Sequence, residues 1–291
     1  MSERLFLCTD LDRTLIPNGP QPESPQARRR FRQLCESRRL TLAYVSGRHR
    51  SLVKQAIVNY ALPQPDYVVG DVGTTIYRVA DADDWHHLAD WERHIGEDWA
   101  GRSHGEISRL FSDLTPLRLQ ENSKQNRYKL SYYISLHSDR GEVDRVMRER
   151  LRESGVNATL VWSVDEPAGV GLLDVLPARA TKLHAVEFLM QRLGFDLGET
   201  LFSGDSGNDM PVLVSGIPAV LVKNAPPDVR EEARRRAAAN DNQASLYLAR
   251  GGFMQMNGNY SAGILEGVAH YHPQLAQTIL AATETQGGVD G

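Results

Sequence analysis

Short unbroken apolar runs alternate with amphipathic stretches at both ends of the chain, a rhythm that predicts an α/β fold. Leu5 to Thr9 is apolar until Asp10 interrupts it, the pattern of a strand buried on both faces of a parallel sheet. Leu40 to Val45 has the same character. Between them, Ser24 is placed to cap a helix beginning at Pro25 that turns Ala27, Phe31, Leu34 and Cys35 to one side. Strand, helix and strand in about forty residues make one βαβ unit. A helix from about Ser51 to Tyr60 ends before Pro63, and Tyr67 to Val69 read as another buried strand.

From about Arg78 to Leu173 the pattern changes. Trp, His, Asp and Arg become frequent, and a helical stretch lies near Asp98 to Leu114. Alternating strand-like runs follow at Tyr128 to Leu136 and Thr159 to Val164, separated by a helix near Glu142 to Ser154. Beyond this insert the first rhythm resumes. Short apolar strands at Leu172 to Leu176, Leu201 to Ser203 and Ala219 to Val222 alternate with helices near Lys182 to Leu193, Pro227 to Ala239 and Ser261 to Tyr271. The expected architecture is a Rossmann-like doubly wound parallel-sheet core over 1-78 and 174-285, with a smaller inserted α/β domain over 79-173 and a disordered tail at 286-291.

Composition narrows the function. A chain of 291 residues, 41% hydrophobic and 24% charged, sits near globular averages, which excludes disordered, collagenous and coiled-coil chains. Thirty-three basic against 37 acidic residues give net charge −4, so neither nucleic acid nor an anionic membrane surface is the expected partner. A phosphorylated small molecule needs only local positive charge. Asp10 interrupts the first apolar run before a signal-peptide core is complete, and no run reaches the ~18 residues of a membrane span. Cys8 and Cys35 are too few for a disulfide framework. A soluble cytoplasmic protein is expected.

Four segments carry candidate chemistry. Asp10 and Asp12, in Thr9-Asp-Leu-Asp-Arg-Thr14, directly follow a predicted strand, and ligands collect at the carboxyl ends of strands in open α/β sheets. A plain turn would explain these acids about as well. Ser46 and Gly47, in Val45-Ser-Gly-Arg48, offer a hydroxyl and amides at a strand-to-helix turn, as an anion site or as a helix cap. Gly204-Asp-Ser-Gly-Asn-Asp209 sets two acids four residues apart among glycines, which suits a hard cation held by oxygen, and it lacks the later ligands of an EF-hand. Lys182 opens an apolar helix just past a predicted strand. Asp10, Asp12, Asp205 and Asp209 would repel one another strongly if clustered, so convergence requires a divalent cation and a nearby ammonium. Mg²⁺ and Lys182 supply both. Such a pocket would bind a phosphate dianion and stabilise a phosphoryl group in transfer, and a carboxylate could attack it through an aspartyl-phosphate. His86, His87, His94 and His104 show no zinc-site spacing and read as surface histidines.

Taken in order, Asp-x-Asp-x-Thr, Ser-Gly-Arg, Lys and Gly-Asp-x-x-x-Asp resemble the four motifs of the haloacid dehalogenase (HAD) superfamily of phosphatases. The insert resembles the α/β cap of its Cof-like branch. Within that branch, Asp66 to Tyr77, Lys129-Leu-Ser-Tyr132, Asp174-Val-Leu-Pro177 and Ser261 to His270 are similar to sucrose-6-phosphate phosphatases. The resemblance implies that Asp10 attacks phosphorus and binds Mg²⁺. Asp12 would protonate the leaving oxygen and later activate water, its carbonyl completing the metal shell. Asp205 would ligate the metal directly, Asp209 would support the shell, and Ser46, Gly47, Lys182 and Asn208 would grip phosphate. Arg48, Gly73, Thr74, Gln125, Asn126 and Lys129 would bind the sugar. Arg127-Tyr128 replaces a Pro-Trp pair of that family.

The implied substrate is sucrose 6-phosphate. Mannosylfructose phosphate, glucosylglycerol phosphate and mannosyl-3-phosphoglycerate are alternatives, as is a weakly active phosphatase-like partner of a glycosyltransferase. A monomer is expected, with a sugar phosphate as its small-molecule partner and a sugar-phosphate synthase as the candidate protein partner.

Overall fold

The computed structural model describes residues 4–165 and 168–277, so the expected tail at 286–291 lies outside the described residues. The chain divides into two compact units, Met1–His87 with Lys182–Gly291, and Leu88–Thr181. The first begins β1 (Leu5–Thr9), α1 (Ala27–Cys35), β2 (Leu40–Val45), α2 (Arg50–Asn59), β3 (Tyr67–Gly70), β4 (Thr75–Val79) and β5 (Trp85–His87). The second contains α3 (Ala89–Gly96), α4 (His104–Arg109), β6 (Leu117–Leu119), β7 (Leu130–Ile134), α5 (Arg140–Glu153), β8 (Ala158–Asp165) and β9 (Val170–Pro177). The first unit is completed by α6 (Lys182–Leu193), β10 (Thr200–Gly204), α7 (Met210–Leu213), β11 (Ala219–Leu221), α8 (Pro227–Ala239), β12 (Leu246–Leu248) and α9 (Ser261–Tyr271). Among the described residues, no helix is long and apolar enough to cross a membrane.

The core sheet runs β12-β11-β10-β1-β2-β3-β4-β5, parallel from β12 to β3 and antiparallel beyond. β1 lies at its centre, with Leu7 in register with Leu42 of β2 and Leu201 of β10. Every residue of β1 is fully buried, which is why its sequence is an unbroken apolar run. Phe31 and Leu34 of α1 share a core cluster with Ile264, Leu265 and Val268 of α9. Each large side chain so buried contributes about 1.5–3 kcal/mol.

The structure differs from the sequence expectation at four points. The core extends to residue 87 and resumes at 182, where the sequence suggested 78 and 174. β4 and β5 form an antiparallel extension of the core sheet, and their Arg78, His86 and His87 carry the polar character of a sheet edge rather than of buried parallel strands. The run Leu172 to Leu176 belongs to β9, which pairs with β7 and β8 in the inserted unit, because an apolar run alone does not say which sheet it joins. Ser24 is not the cap of α1. Gln26 precedes that helix in a left-handed conformation without a side-chain cap, and Ser24 Oγ instead accepts a 2.8 Å bond from the Asn257 amide.

The inserted unit is an antiparallel sheet ordered β6-β7-β9-β8. Leu130, Tyr132 and Ile134 of β7, Leu173 and Val175 of β9 and Leu160 of β8 are buried, as are Trp91, Ile95, Trp99, Ile107, Met147 and Leu151 on the helical side. Trp99 meets Tyr128 edge-on at 5.5 Å. Gly96 permits this, since a Cβ there would lie 2.3 Å from the Tyr128 hydroxyl. A Ser103/Glu106 capping box starts α4, and Asp139 caps α5.

Candidate active site

Asp10, Ser46 and Asp205 follow β1, β2 and β10, three neighbouring parallel strands, so their carboxyl ends converge as the topology demands. Lys182, the first residue of α6, joins them: its Nζ lies 2.9 Å from Asp10 Oδ1 and 2.7 Å from Asp209 Oδ1. Asn208 Oδ1 lies 3.4 Å from the same ammonium. Lys182, Asp10 and Asp209 are only 6%, 5% and 0% exposed, so this is a buried ionic cluster. Asp209 Oδ2 accepts the amides of Asp205 at 3.1 Å and Ser206 at 3.2 Å, which folds the turn after β10 onto its own acid. Gly204 makes room, since a Cβ there would approach the Asp209 carboxylate to 2.6 Å.

Asp205 completes the cluster. Its Oδ1 accepts a 3.1 Å bond from Thr14 Oγ1, whereas its buried Oδ2 has no hydrogen-bond partner and lies 3.3 Å from Arg13 Nε. Asp10, Asp205 and Asp209 each offer a ligand atom within 4.8 Å of the others. Three buried carboxylates therefore face one buried ammonium and a half-exposed guanidinium. Burial pushes the Asp10 carboxyl up to about 7, with Lys182 opposing and Asp209 adding to the rise. Burial, then Asp209, pushes Asp205 up to about 6. Burial works against the Lys182 charge, but Asp10 and Asp209 outweigh it and hold the lysine above its ordinary value. Unbalanced negative charge, an all-oxygen donor set and the unbonded Asp205 Oδ2 together fit a hard divalent cation. Asp209, with both oxygens engaged, braces this group.

A consequence follows for the metal-free protein. Asp10 and Asp205 have folded values above their unfolded ones, so the stability they lend is present at low pH and is lost as pH rises through about 6 to 7. A divalent cation binds the ionised form and restores what is lost. The gain in Tm on adding a divalent cation should therefore grow from pH 5 to pH 8, by several degrees. A gain independent of pH, measured by thermal unfolding, would contradict the cluster as the cation site.

The Asp12 carboxylate lies outside this cluster. It accepts bonds from Arg48 Nε at 2.7 Å and Nη2 at 2.6 Å, and from Asn18 Nδ2 at 2.7 Å. Burial raises the Asp12 carboxyl, but the Arg48 hydrogen bonds and charge, with Asn18, outweigh it and leave it below the usual range. Arg48, expected on the sugar, is thus placed on Asp12. Ser46 is buried, and its Oγ accepts the Arg48 amide at 3.2 Å; it does not cap α2, which starts after His49. Gly47 is exposed, and a Cβ there would meet nothing within 4 Å. Gly73 and Thr74 lie in the turn after β3, at the same edge of the sheet, where the Asp71 amide bonds the Arg48 carbonyl at 3.0 Å and Thr74 Oγ1 donates to the Asp71 carbonyl at 2.9 Å.

Asn18 and Asn224 escaped sequence reasoning. Asn224 Nδ2 donates to the Arg13 carbonyl at 2.6 Å and Oδ1 accepts the Tyr260 amide at 2.8 Å, holding Arg13 at φ 55° between Asp12 and Thr14. A left-handed arginine needs such support. The available signal was position, since Asn224 also lies just past a strand end.

In the inserted unit, Gln125 is engaged by the backbone. Its Nε2 donates to the carbonyls of Gln120 at 3.1 Å and Ser131 at 2.8 Å, while Oε1 accepts the Ser131 amide at 2.8 Å and lies 3.2 Å from His104 Nε2. Both amide hydrogens and one lone pair of its oxygen are thus engaged by the backbone. Asn126 Oδ1 accepts the Tyr128 amide at 2.9 Å, and Lys129 Nζ lies 3.9 Å from Asp174 Oδ2.

Comparison with known proteins identifies relatives of the chain. Residues 3–272 match the profile of the sucrose-6F-phosphate phosphohydrolase family. The chain is 54% identical over 274 residues to a HAD-like hydrolase of Nitrosococcus oceani, covering 94% of this chain and 73% of that one. It is 27% identical over 271 residues to a mannosylfructose-phosphate phosphatase of Agrobacterium fabrum, covering 91% and 96%. The sucrose-phosphatase of a Synechocystis species, solved with sucrose and phosphate, shares the fold at TM-score 0.68 and 24% identity, over 92% of this chain and 98% of that one.

Proposed function

Because the chain belongs to the sucrose-6F-phosphate phosphohydrolase family and is a HAD phosphatase, we propose that it releases phosphate from a phosphorylated disaccharide, sucrose 6-phosphate, with Mg²⁺ as its metal and Asp10 as nucleophile. The observation that carries this reading is the Lys182 ammonium seated between Asp10 and Asp209 beside the unbonded oxygen of Asp205.

Asp10 attacks phosphorus in line with the departing sugar oxygen. Lys182, Ser46 Oγ, the Gly47 amide and Asn208 hold the phosphoryl oxygens, and their positive charge and dipoles stabilise the transition state. Asp12 gives the leaving oxygen a proton, then takes one from the water that cleaves the aspartyl-phosphate. Mg²⁺ held by Asp10, Asp205 and the Asp12 carbonyl would supply positive charge against the same phosphoryl oxygens. Gly73 and Thr74 on the core, and Asn126 and Lys129 on the insert, are assigned to the sugar. Lys129→Ala should raise KM for the sugar phosphate about tenfold while lowering kcat by less than about twofold, as expected for binding away from the reacting centre. An equal fall in kcat, measured by steady-state kinetics, would contradict that assignment.

A second reading, mannosylfructose phosphate, is favoured by the 27% identical relative that carries this activity in its name. Both substrates are phosphorylated disaccharides containing fructose, and Arg127-Tyr128 stands where the family has Pro-Trp. Phosphate release measured over a panel of disaccharide and glycoside phosphates, with and without Mg²⁺, separates the two. Sucrose 6-phosphate should show the highest kcat/KM, by about tenfold, a margin that one or two well-placed contacts supply. A higher value for mannosylfructose phosphate would transfer the assignment to it, and no release from any member would leave a phosphatase-like partner of a synthase.

A further inference from the structure

We propose that Arg48 is a positioning residue for proton transfer, fixing from the end of β2 the orientation of the Asp12 carboxylate that follows β1. The inference rests on the proposed phosphatase reading. Three donors converge on Asp12: Arg48 bonds both oxygens, at 2.7 and 2.6 Å, and Asn18 adds a third bond at 2.7 Å. The donors are themselves anchored. Arg48 is held at its amide by Ser46 Oγ and at its carbonyl by the Asp71 amide, and Asn18 Oδ1 accepts the Arg13 amide at 2.8 Å. Yet the Asp12 side chain is 40% exposed, against 7% for Asp10 and 2% for Asp205, so it is held in place while open to an incoming leaving group.

An acid open to solvent on a short side chain would otherwise sample several rotamers, and a proton donor about 1 Å out of place loses about two orders of magnitude in rate. A bidentate guanidinium removes that freedom. The proton balance gives Arg48 a second part. Asp12 acts as an acid from its protonated form, which the Arg48 pair disfavours, so its proton is readily given: as the phosphorus–sugar oxygen bond breaks and the Asp10–phosphorus bond forms, that proton passes to the leaving oxygen, and Arg48 stabilises the carboxylate that remains. When water attacks phosphorus and the Asp10–phosphorus bond breaks, the water proton returns to Asp12.

Leaving-group dependence separates this role from a grip on the sugar. A nitrophenolate departs without a proton, whereas a sugar alkoxide needs one. First-turnover rates of leaving-group release, read by rapid mixing before the shared aspartyl-phosphate is hydrolysed, and KM values would be measured for Arg48→Ala, Arg48→Lys, Asp12→Asn and Arg48→Ala/Asp12→Asn with sucrose 6-phosphate and 4-nitrophenyl phosphate. Should sucrose 6-phosphate not be turned over, the best member of the phosphate panel replaces it. Arg48→Ala should slow first-turnover release of the sugar about 100-fold with KM within about threefold, and slow release of nitrophenolate by less than about fivefold. Arg48→Lys should recover part of the loss, and the double variant should lose no more than Asp12→Asn alone. A raised KM for the sugar phosphate with the first-turnover rate retained would overturn the proposal in favour of a sugar contact. Equal losses on both esters, in Arg48→Lys as in Arg48→Ala, would overturn it in favour of a structural or phosphate-binding role. If Asp12→Asn itself shows no difference between the esters, the acid role assigned to Asp12 fails, and the proposal with it; if Asp12→Asn shows the difference and Arg48→Ala does not, only the proposal fails.

Discussion

Asp10→Asn should reduce phosphate release by at least about four orders of magnitude while leaving the fold intact, the size of loss seen when a covalent nucleophile is removed. The amide oxygen can still accept the Lys182 proton, and the side chain keeps its volume in a site only 5% exposed. It lacks the charge and nucleophilicity of a carboxylate and is a poorer ligand for a hard cation. Stability should not fall. Burial already holds the Asp10 carboxyl near 7, so removing its charge relieves repulsion from Asp209 and Asp205. A variant with unchanged Tm and no turnover places Asp10 in the chemistry; activity within tenfold of the parent, checked by phosphate release, would remove it.

Lys182→Met should damage both activity and stability. Deleting the ammonium leaves Asp10 and the fully buried Asp209 without their shared counter-charge, and breaking a buried pair in this way costs about 3–5 kcal/mol. Turnover should fall about 100- to 1,000-fold, because the transferring phosphoryl group loses a fixed positive neighbour. Lys182→Met/Asp209→Asn should recover much of the stability without recovering turnover, since neutralising Asp209 removes the uncompensated charge but restores no phosphate donor. Chemical unfolding and phosphate release on both variants test this. Parent-like stability of Lys182→Met would contradict the cluster.

Much of the core was legible in sequence because β1, β2 and β10 are almost wholly buried and read as short, mainly apolar runs, each followed directly by a residue that enters the site. α6, α8 and α9 start and end where their patterns do, α8 helped by Pro227 at its first turn. The antiparallel extension was hidden because an edge strand such as Trp85–His87 is exposed at two of three positions and resembles a loop. The inserted unit's end was misplaced because β9 is as apolar as a core strand.

Within the site, residue types announced the acidic cluster, but not the pairing that divides it. Asp12 and Asp10 stand two residues apart, yet one turns to Arg48 and the other to Lys182, a choice made by strand order rather than by spacing. At Gln125 the backbone partners were the part that could not be read. Its polarity suggested a ligand contact, whereas a glutamine placed beside a strand can bracket the backbone with both ends of its amide.

The phosphorylated state of Asp10 tests the account most directly. In Asp12→Ala, 4-nitrophenyl phosphate can still transfer its phosphoryl group, because nitrophenolate leaves unaided, while hydrolysis of the aspartyl-phosphate lacks its base. Rapid acid quench followed by peptide mass mapping should find one phosphoryl group per chain on the peptide containing Asp10. A phosphoryl group on any other residue, or a burst of nitrophenolate with no covalent phosphate, would contradict it.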